Sequence, residues 1–241
     1  MNYLEMKNEF NRLKVLSTIE SFDATMDFIG KLNSSNDNET LEFHYSLLKN
    51  KDNSDLYYRI RAGFKKRGKR NRKIVKSFLL KKLESENNDE LRADALQILG
   101  GLKFEEALPY AKEFIQSDNR DFRYRGIIVT GWLGNQNNIP ILSEKLFNEP
   151  DIHLRGYAAT ALRQIWLRLP ATKDEIVPIL HKALSIENEK FVIQCIITVL
   201  QDLLKKKFGL KENIDEAEVT GDVWKAKEKV LTVLSKLNRN V

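Results

Sequence analysis

The stretch DIHLRGYAATAL at residues 151–162 carries the pattern that decides the fold. An Asp opens it, an Arg follows four residues later, and a small residue follows three residues after the Arg. The spacing of an Asp or Asn and an Arg occurs three more times, and successive arginines lie 33, 33 and 30 residues apart. Self-similarity at such a period is the signature of a stacked repeat protein. The four pairs are Asp55 and Arg59, Asn88 and Arg92, Asp121 and Arg125, and Asp151 and Arg155.

Each pair is predicted to mark the beginning of a helix. Asp and Asn are favoured N-cap residues, and an Arg four residues later lies on the same helix face and can reach back to the acid. The second helices of the repeats are therefore predicted at about 54–67, 88–102, 121–134 and 151–168. The first helices are predicted at about 38–50, 71–85, 104–117, 138–148 and 174–186.

Two further features support this division into helix pairs. Pro109, Pro140 and Pro178 recur at one repeat position and are predicted in first helical turns, where proline is tolerated. A fifth second helix is predicted at about 188–207 and has Ile193 in place of the Arg, which fits a terminal repeat.

The predicted fold class is all-α, an α-solenoid of about five helix pairs with extra helices at both ends. Helical stretches are expected at about 2–16 and 22–32, a loop at 211–221, and a closing helix from there to 237. The predicted parts are an N-terminal cap at 1–37, repeats at 38–207, and an acidic loop with a capping helix at 208–241.

Composition favours a folded helical protein. Apolar residues make up 42% of the chain, and glycine (11) and proline (5) are scarce. The single cysteine, Cys195, is interpreted as a buried small residue in a reducing compartment. No signal-peptide pattern and no run of 18 apolar residues is present, so the protein is expected to be cytoplasmic, with no membrane partner.

The sequence resembles HEAT repeats, and more narrowly the short bacterial and phycobilin-lyase-like kind. The resemblance rests on residues 151–162 and 88–100, covers about 38–205, and weakens at Ile128 and Trp132 in the third repeat. It implies antiparallel helix pairs in a right-handed superhelix, with second helices lining a concave face that binds another macromolecule. It also implies that the four Asp or Asn and Arg pairs form a structural ladder of hydrogen bonds.

A basic segment gives the strongest functional signal. Residues 56–83 contain twelve Lys or Arg and no Asp or Glu, although the whole chain has a formal charge of only +6. The densest part surrounds Gly68, which is predicted to form the turn between two helices. Charge of this density favours an acidic partner. The predicted contact residues are Arg59, Arg61, Lys65, Lys66, Arg67, Lys69, Arg70, Arg72 and Lys73.

Several partners fit this basic segment. Nucleic-acid phosphates, an acidic protein surface and anionic lipid all supply negative charge. Tyr57, Tyr58 and Phe64 could stack on bases or could belong to the core. The favoured function is a non-catalytic scaffold, an adaptor or immunity-type protein, that binds a protein with an acidic surface. Binding of DNA or RNA is the alternative, and the sequence leaves the oligomeric state open.

Motifs for catalysis are missing from the sequence. It has no Gly-rich phosphate loop, no CxxC, and three widely separated histidines, so no cofactor and no metal are expected. Some alkylpurine DNA glycosylases are built from HEAT-like helix pairs, and here Trp132 and Trp166 lie on helices that Asp121 and Asp151 are predicted to begin. No stretch resembles the Trp-Asp segment of that family, so this enzyme is the least favoured alternative.

Overall fold

The computed structural model describes residues 3–13, 21–35, 37–49, 51, 54–213 and 218–237. Within these ranges the chain is helical apart from one short β-hairpin, which confirms the predicted all-α class. Short 3₁₀ segments occur at Leu47–Lys49, Glu105–Ala107, Gln136–Asn138 and Pro170–Thr172. The α-helices are α1 (Tyr3–Leu13), α2 (Ser21–Ser34), α3 (Asn38–Ser46), α4 (Ser54–Arg70), α5 (Arg72–Ser85), α6 (Asp89–Gly101), α7 (Leu108–Ile115), α8 (Arg120–Leu133), α9 (Ile139–Asn148), α10 (Ile152–Arg168), α11 (Lys173–Ile186), α12 (Lys190–Leu204) and α13 (Val223–Leu237); the strands are β1 (Lys211–Asn213) and β2 (Glu218–Thr220).

The chain divides into two compact units, Met1–Ala107 and Leu108–Val241. In the first unit α2 packs against α4 and α4 against α6, while α1, α3 and α5 pack against α2, α4 and α6 respectively. In the second unit α8 packs against α10 and α10 against α12, with α7, α9 and α11 as their partners. Helix α13 packs on α11 and α12. Each unit therefore stacks helix pairs in sequence order, as in an α-solenoid. Residues 14–16 of the first predicted helix lie outside the described residues.

Small residues on the second helices bring neighbouring repeats close together. Ala158, Ala159 and Ala161 of α10 are at most 2% exposed. A Cβ atom added to Gly131 of α8 would lie only 2.9 Å from the Cα atom of Ala161. Since even a methyl group at Gly131 would be too close to Ala161, the spacing of the helices depends on these small residues.

Replacing Ala158 with phenylalanine is expected to destabilise the fold. Ala158 is fully buried, so the ring would overpack the core and lower the free energy of unfolding by about 1–3 kcal/mol. Chemical denaturation of the purified variant measures this loss. Gln164→Phe on the exposed face of the same helix is the control and should change stability by less than about 0.5 kcal/mol. Equal effects of the two changes would contradict the assignment of Ala158 to the helix interface.

The third repeat begins two residues earlier than predicted. The N-cap of α8 is Asn119, whose Oδ1 accepts hydrogen bonds from the N–H groups of Asp121 (2.9 Å) and Phe122 (3.4 Å). Asp121 is therefore not the cap. The arginine that lies four residues after the cap, Asn119, is Arg123 rather than Arg125. The sequence contains both spacings, and packing chooses between them. Gly126, three residues after Arg123, sits where an added Cβ would be 2.6 Å from the backbone nitrogen of Ile115.

The same two-residue shift corrects the other assignments in this repeat. Thr130, which is fully buried, lies at the position of Leu99 and Leu162, where Trp132 was predicted. Gly126, rather than Ile128, follows the arginine as the small residue. The departures that the sequence suggested in this repeat came from the wrong alignment.

The first repeat departs from the predicted register as well. Helix α4 begins at Ser54, so Asp55 lies in its first turn, and Tyr58, for which the sequence allowed either core packing or stacking, is 62% exposed. Leu56 is buried instead. Asp55 and Arg59 form a surface ion pair, with Arg59 Nε 2.6 Å from Asp55 Oδ2. Arg59 also contacts α2, since its Nη1 atom lies 3.7 Å from Met26 Sδ and its guanidinium carbon 4.6 Å from the Phe22 ring centre.

Two smaller predictions also change. Pro109 and Pro140 are second residues of their helices, but Pro178 lies inside α11 rather than in its first turn. The segment predicted as a loop has strands at both ends, and β1 pairs with β2 in antiparallel register, with Lys211 opposite Thr220. Gln194 Nε2 holds this hairpin by donating to the Val219 carbonyl at 3.1 Å. No helix in the described ranges is both long and apolar enough to cross a membrane.

Candidate anion-binding surface on helices α4 and α5

Six cations lie on the solvent-facing side of α4. They are opposite its buried residues Leu56, Ile60 and Phe64, because helix positions three and four apart share a face. We call this surface the basic stripe. Its members are Arg59, Arg61, Lys65, Lys66, Lys69 and Arg70.

The basic stripe has little internal neutralisation. Of its six members, only Arg59 forms an ion pair with a described residue, the one with Asp55. Burial, together with the nearby charges of Arg61 and Lys69, lowers the pKa of Lys65 from its usual value. The stripe therefore carries repulsion between like charges that an anionic ligand would relieve.

Arg67 was predicted to contact the partner, but the structure buries it. Its side chain is 2% exposed and donates a hydrogen bond from Nη2 to the carbonyl of Ser35 at 2.6 Å. Burial lowers the pKa of this guanidinium. Arg67 points to the same side of α4 as the core, one turn after Phe64, so it stabilises the end of α2 rather than extending the basic stripe.

Gly68 does not form the predicted turn. Helix α4 continues through it to Arg70, and α5 begins at Arg72. A Cβ atom on Gly68 would lie 2.4 Å from Leu102 Cδ1, so the glycine allows α4 to approach the residue that follows α6. The seven cations of residues 65–73, on both sides of Gly68, are consequently divided between the last turns of α4, the core, and the first turn of α5.

Arg72 and Lys73 are exposed in the first turn of α5, which contains no carboxylate. The guanidinium of Arg72 lies 4.3 Å from the centre of the Phe104 ring, in cation–π contact. One turn further on, Lys76 forms an ion pair with Glu106, with 2.5 Å between Lys76 Nζ and Glu106 Oε1. Lys76, Lys103 and Phe104 were missed by the sequence reasoning because they are separated in the chain from the densest charges.

The three predicted stacking aromatics have different environments. Phe64 is fully buried, and Tyr57 is buried with its hydroxyl donating to Asp94 Oδ1 at 2.7 Å. Tyr58 alone of the three is exposed, on the same helix face as Arg61 and Lys65. Only Tyr58 is therefore available to stack on a ligand.

The repeated arginines in the second unit form buried links between neighbouring repeats. Arg123 contacts Glu149 through Nε and Nη2 at 3.0–3.1 Å, and Arg155 Nε contacts Glu187 Oε2 at 3.1 Å. Each Glu also accepts a backbone N–H at the beginning of the next second helix, from Asp151 or Glu189. The glutamates were missed, although a sequence signal exists: each lies two residues before a helix cap.

Arg92 makes a different contact, since its Nε donates to the Leu83 carbonyl at 2.7 Å. Asn88 and Asp151 do cap their helices as predicted, with side-chain oxygens that accept from Leu91 and Leu154. The capping residues and arginines therefore act separately here. Within the described residues, Asp55 and Arg59 are the one predicted pair whose side chains are seen in contact; Arg92 and Arg155 donate their backbone N–H groups to the carbonyls of Asn88 and Asp151.

The residues considered for glycosylase chemistry are engaged in the fold. The Asp151 carboxylate caps α10 and is 2.6 Å from Arg120 Nε, and this hydrogen bond lowers the pKa of Asp151. Trp132 and Trp166 are partly buried.

Burial raises the pKa of Cys195 to about 12, and the charge of Glu212 adds to this. No group of three His, Cys, Asp or Glu side chains in the described part of the chain could hold a metal ion.

Comparison with known proteins agrees with the packing. A search of curated proteins found no match. Residues 77–163 match the family model described as HEAT repeats, and they run from α5 into α10 through three helix pairs. HEAT repeats generally act as scaffolds for protein–protein interaction. Residues 77–163 are therefore similar in sequence to HEAT repeats, and the helix pairs that they form agree with that likeness.

Proposed function

We propose that this protein is a non-catalytic binding scaffold that recognises a partner protein with an acidic surface. The basic stripe on α4 is its contact surface. An adaptor, or an immunity-type protein that masks another protein, is the role that this arrangement fits.

One observation carries the proposal: six cations lie on the half of α4 that faces away from its buried residues, and one of them has an ion-pair partner among the described residues. A stable fold has no need of such a concentration, because it costs repulsion between like charges. Complementary charge on a partner would steer association and fix its orientation. From Arg59 to Arg70 the stripe is about 17 Å long at the helical rise per residue, which suits a patch within an ordinary protein interface.

Replacing Lys65, Lys66, Lys69 and Arg70 together by glutamine tests this proposal. The partner captured from nuclease-treated native lysate by the unmodified protein should bind the variant at least about tenfold more weakly, because charges that steer association are lost. Arg67 is left unchanged since it belongs to the core. Affinity is measured with the purified partner.

The chain offers a matched control with the same change of charge. Lys205, Lys206, Lys207 and Lys211 are exposed and form a second basic cluster in the other unit. Their replacement by glutamine should leave the affinity unchanged. If both variants lose affinity for the partner equally, binding depends on net charge and not on the basic stripe. If neither variant loses affinity, the stripe is not the contact.

Binding of a nucleic-acid backbone is the second candidate, and exposed Tyr58 beside Arg61 and Lys65 favours it. Contact with four or five phosphates would make the logarithm of the affinity for duplex DNA fall with log salt at a slope of about −4. Fluorescence anisotropy with labelled DNA measures this slope. A flat slope, or no binding at about 50 mM salt, would exclude this candidate.

A further inference from the structure

A second cationic feature lies beside the basic stripe, in a groove between α5 and the turn that follows α6. The groove has a volume of about 650 Å³ and is open to solvent. We call it the Phe104 groove. It is lined by Arg72, Lys73, Lys76, Lys103, Phe104 and the carboxylates of Glu105 and Glu106.

Arg72 is oriented within the groove by its stacking on Phe104, with 4.3 Å between the guanidinium carbon and the ring centre. A stacked guanidinium keeps its N–H groups at the edge, where they can bind an oxyanion with two parallel hydrogen bonds. Lys76 Nζ lies 5.8 Å from the same ring centre, so the ring is contacted by two cations. The groove therefore combines an oriented fork donor with nearby ammonium groups.

Lys103 reaches the groove from a backbone conformation that disfavours a side chain. Its φ is +59°, and it directly follows the C-cap of α6. The N–H of Lys103 donates to the Gly100 carbonyl, and the N–H of Phe104 donates to the Leu99 carbonyl. Glycine is the residue that this position favours. Lys103 instead brings an ammonium group to the lining of the groove.

We propose that the Phe104 groove binds a phosphoryl group carried on a side chain of the partner protein. The proposal deepens the proposed function, because the partner would supply this group. A phosphoryl group carries about −1.5 to −2 charges and three acceptor oxygens, which suits Arg72 together with Lys73, Lys76 and Lys103. Glu105 and Glu106 also line the groove and would repel the further phosphates of a polynucleotide, so a single phosphoryl group on a peptide fits better than DNA or RNA.

The test needs no partner. The full-length, isotope-labelled protein is titrated with N-acetyl-phosphoserine amide while its backbone amide signals are followed by NMR. Saturable shifts are expected at residues 72–76 and 103–106, and the corresponding N-acetylserine amide should cause none. Arg72→Ala should raise the dissociation constant about tenfold, because it removes a charge-assisted pair of hydrogen bonds.

A glycine variant separates binding from stability. Lys103→Gly should raise the melting temperature by about 2–4 °C by relieving the backbone, while weakening phosphoserine binding about threefold. The matched control is Lys205, which has φ +51° at the C-cap of α12 with the same pattern of backbone bonds. Lys205→Gly should raise the melting temperature similarly and leave binding unchanged.

Three outcomes would overturn the proposal. One is equal shifts with the phosphorylated and unphosphorylated probes, and another is unchanged phosphoserine binding by Arg72→Ala and Lys103→Gly. The third is a short oligothymidylate that shifts the groove signals at lower concentration than phosphoserine does. These results concern only the groove. Failure of the proposed function would instead appear as partner binding that is indifferent to the basic stripe.

Discussion

Replacing Arg123 with alanine is expected to lower the free energy of unfolding by about 3–5 kcal/mol. The change leaves the Glu149 carboxylate, whose side chain is 1% exposed, without its counter-charge in the core. It also removes the donors to the carbonyls of Ser117 and Asp118. Equilibrium denaturation of the variant and the unmodified protein measures the loss.

Arg125→Ala is the matched control, since the sequence pattern would assign the buried link to Arg125. Arg125 is only partly buried and lies 4.9 Å from the Tyr124 ring centre, so its loss should cost less than about 1 kcal/mol. Adding Glu149→Met to Arg123→Ala should recover much of the stability, because the uncompensated charge is removed. Equal losses for the two arginine variants would show that the register described for α8 is wrong.

Acid is expected to destabilise the protein through His44. Its imidazole is fully buried, donates from Nε2 to the Ile60 carbonyl at 3.0 Å, and lies 4.7 Å from the Phe64 ring centre. Burial, reinforced by the charge of Arg67 and opposed by the Ile60 bond, lowers the pKa of His44 to about 3. A histidine in the unfolded chain has a pKa of about 6.5. The contribution of His44 to stability is therefore present above pH 6.5 and is lost as the pH falls from 6.5 towards 3.

The size of this loss follows from the proton that only the unfolded chain takes up. Stability should fall by about 1.4 kcal/mol per pH unit, or about 2.5 kcal/mol between pH 7 and pH 4.5. Denaturation at these two pH values compares the unmodified protein with His44→Gln, which keeps a donor for Ile60 but does not titrate. The pKa of Asp37 is lowered to about 2, so this carboxyl group changes the stability mainly below pH 4.5. A parallel loss in both proteins would contradict this role of His44.

The elements of the fold could be predicted from the sequence to within a few residues where caps and apolar periodicity agreed. Asn88 and Asp151 begin α6 and α10 as predicted, because one residue near each helix start combines a capping side chain with the correct periodicity. In the third repeat Asn119 and Asp121 both had an Arg four residues later. Local rules could not choose between them, and the close approach of Gly126 to the backbone of α7 did.

The candidate site was predictable in position but not in detail. Charge density identified α4 and α5, since an excess of cations is visible without a structure. Exposure was not visible: Arg67 and Phe64 belong to the core, and Tyr58 is outside it. The contribution of Lys76, Lys103 and Phe104 depended on contacts across the space between α5 and the turn after α6.

The sequence by itself determined the stacked helix pairs and the concentration of positive charge in one hairpin, because helix periodicity, capping and net charge are local properties. Only the tertiary structure decided which arginine links one repeat to the next, which cations face solvent, and that Arg72 and Lys76 meet over the Phe104 ring. These outcomes depend on which side of each helix its neighbours cover, and a difference of two residues in register turns a helix by more than half a turn.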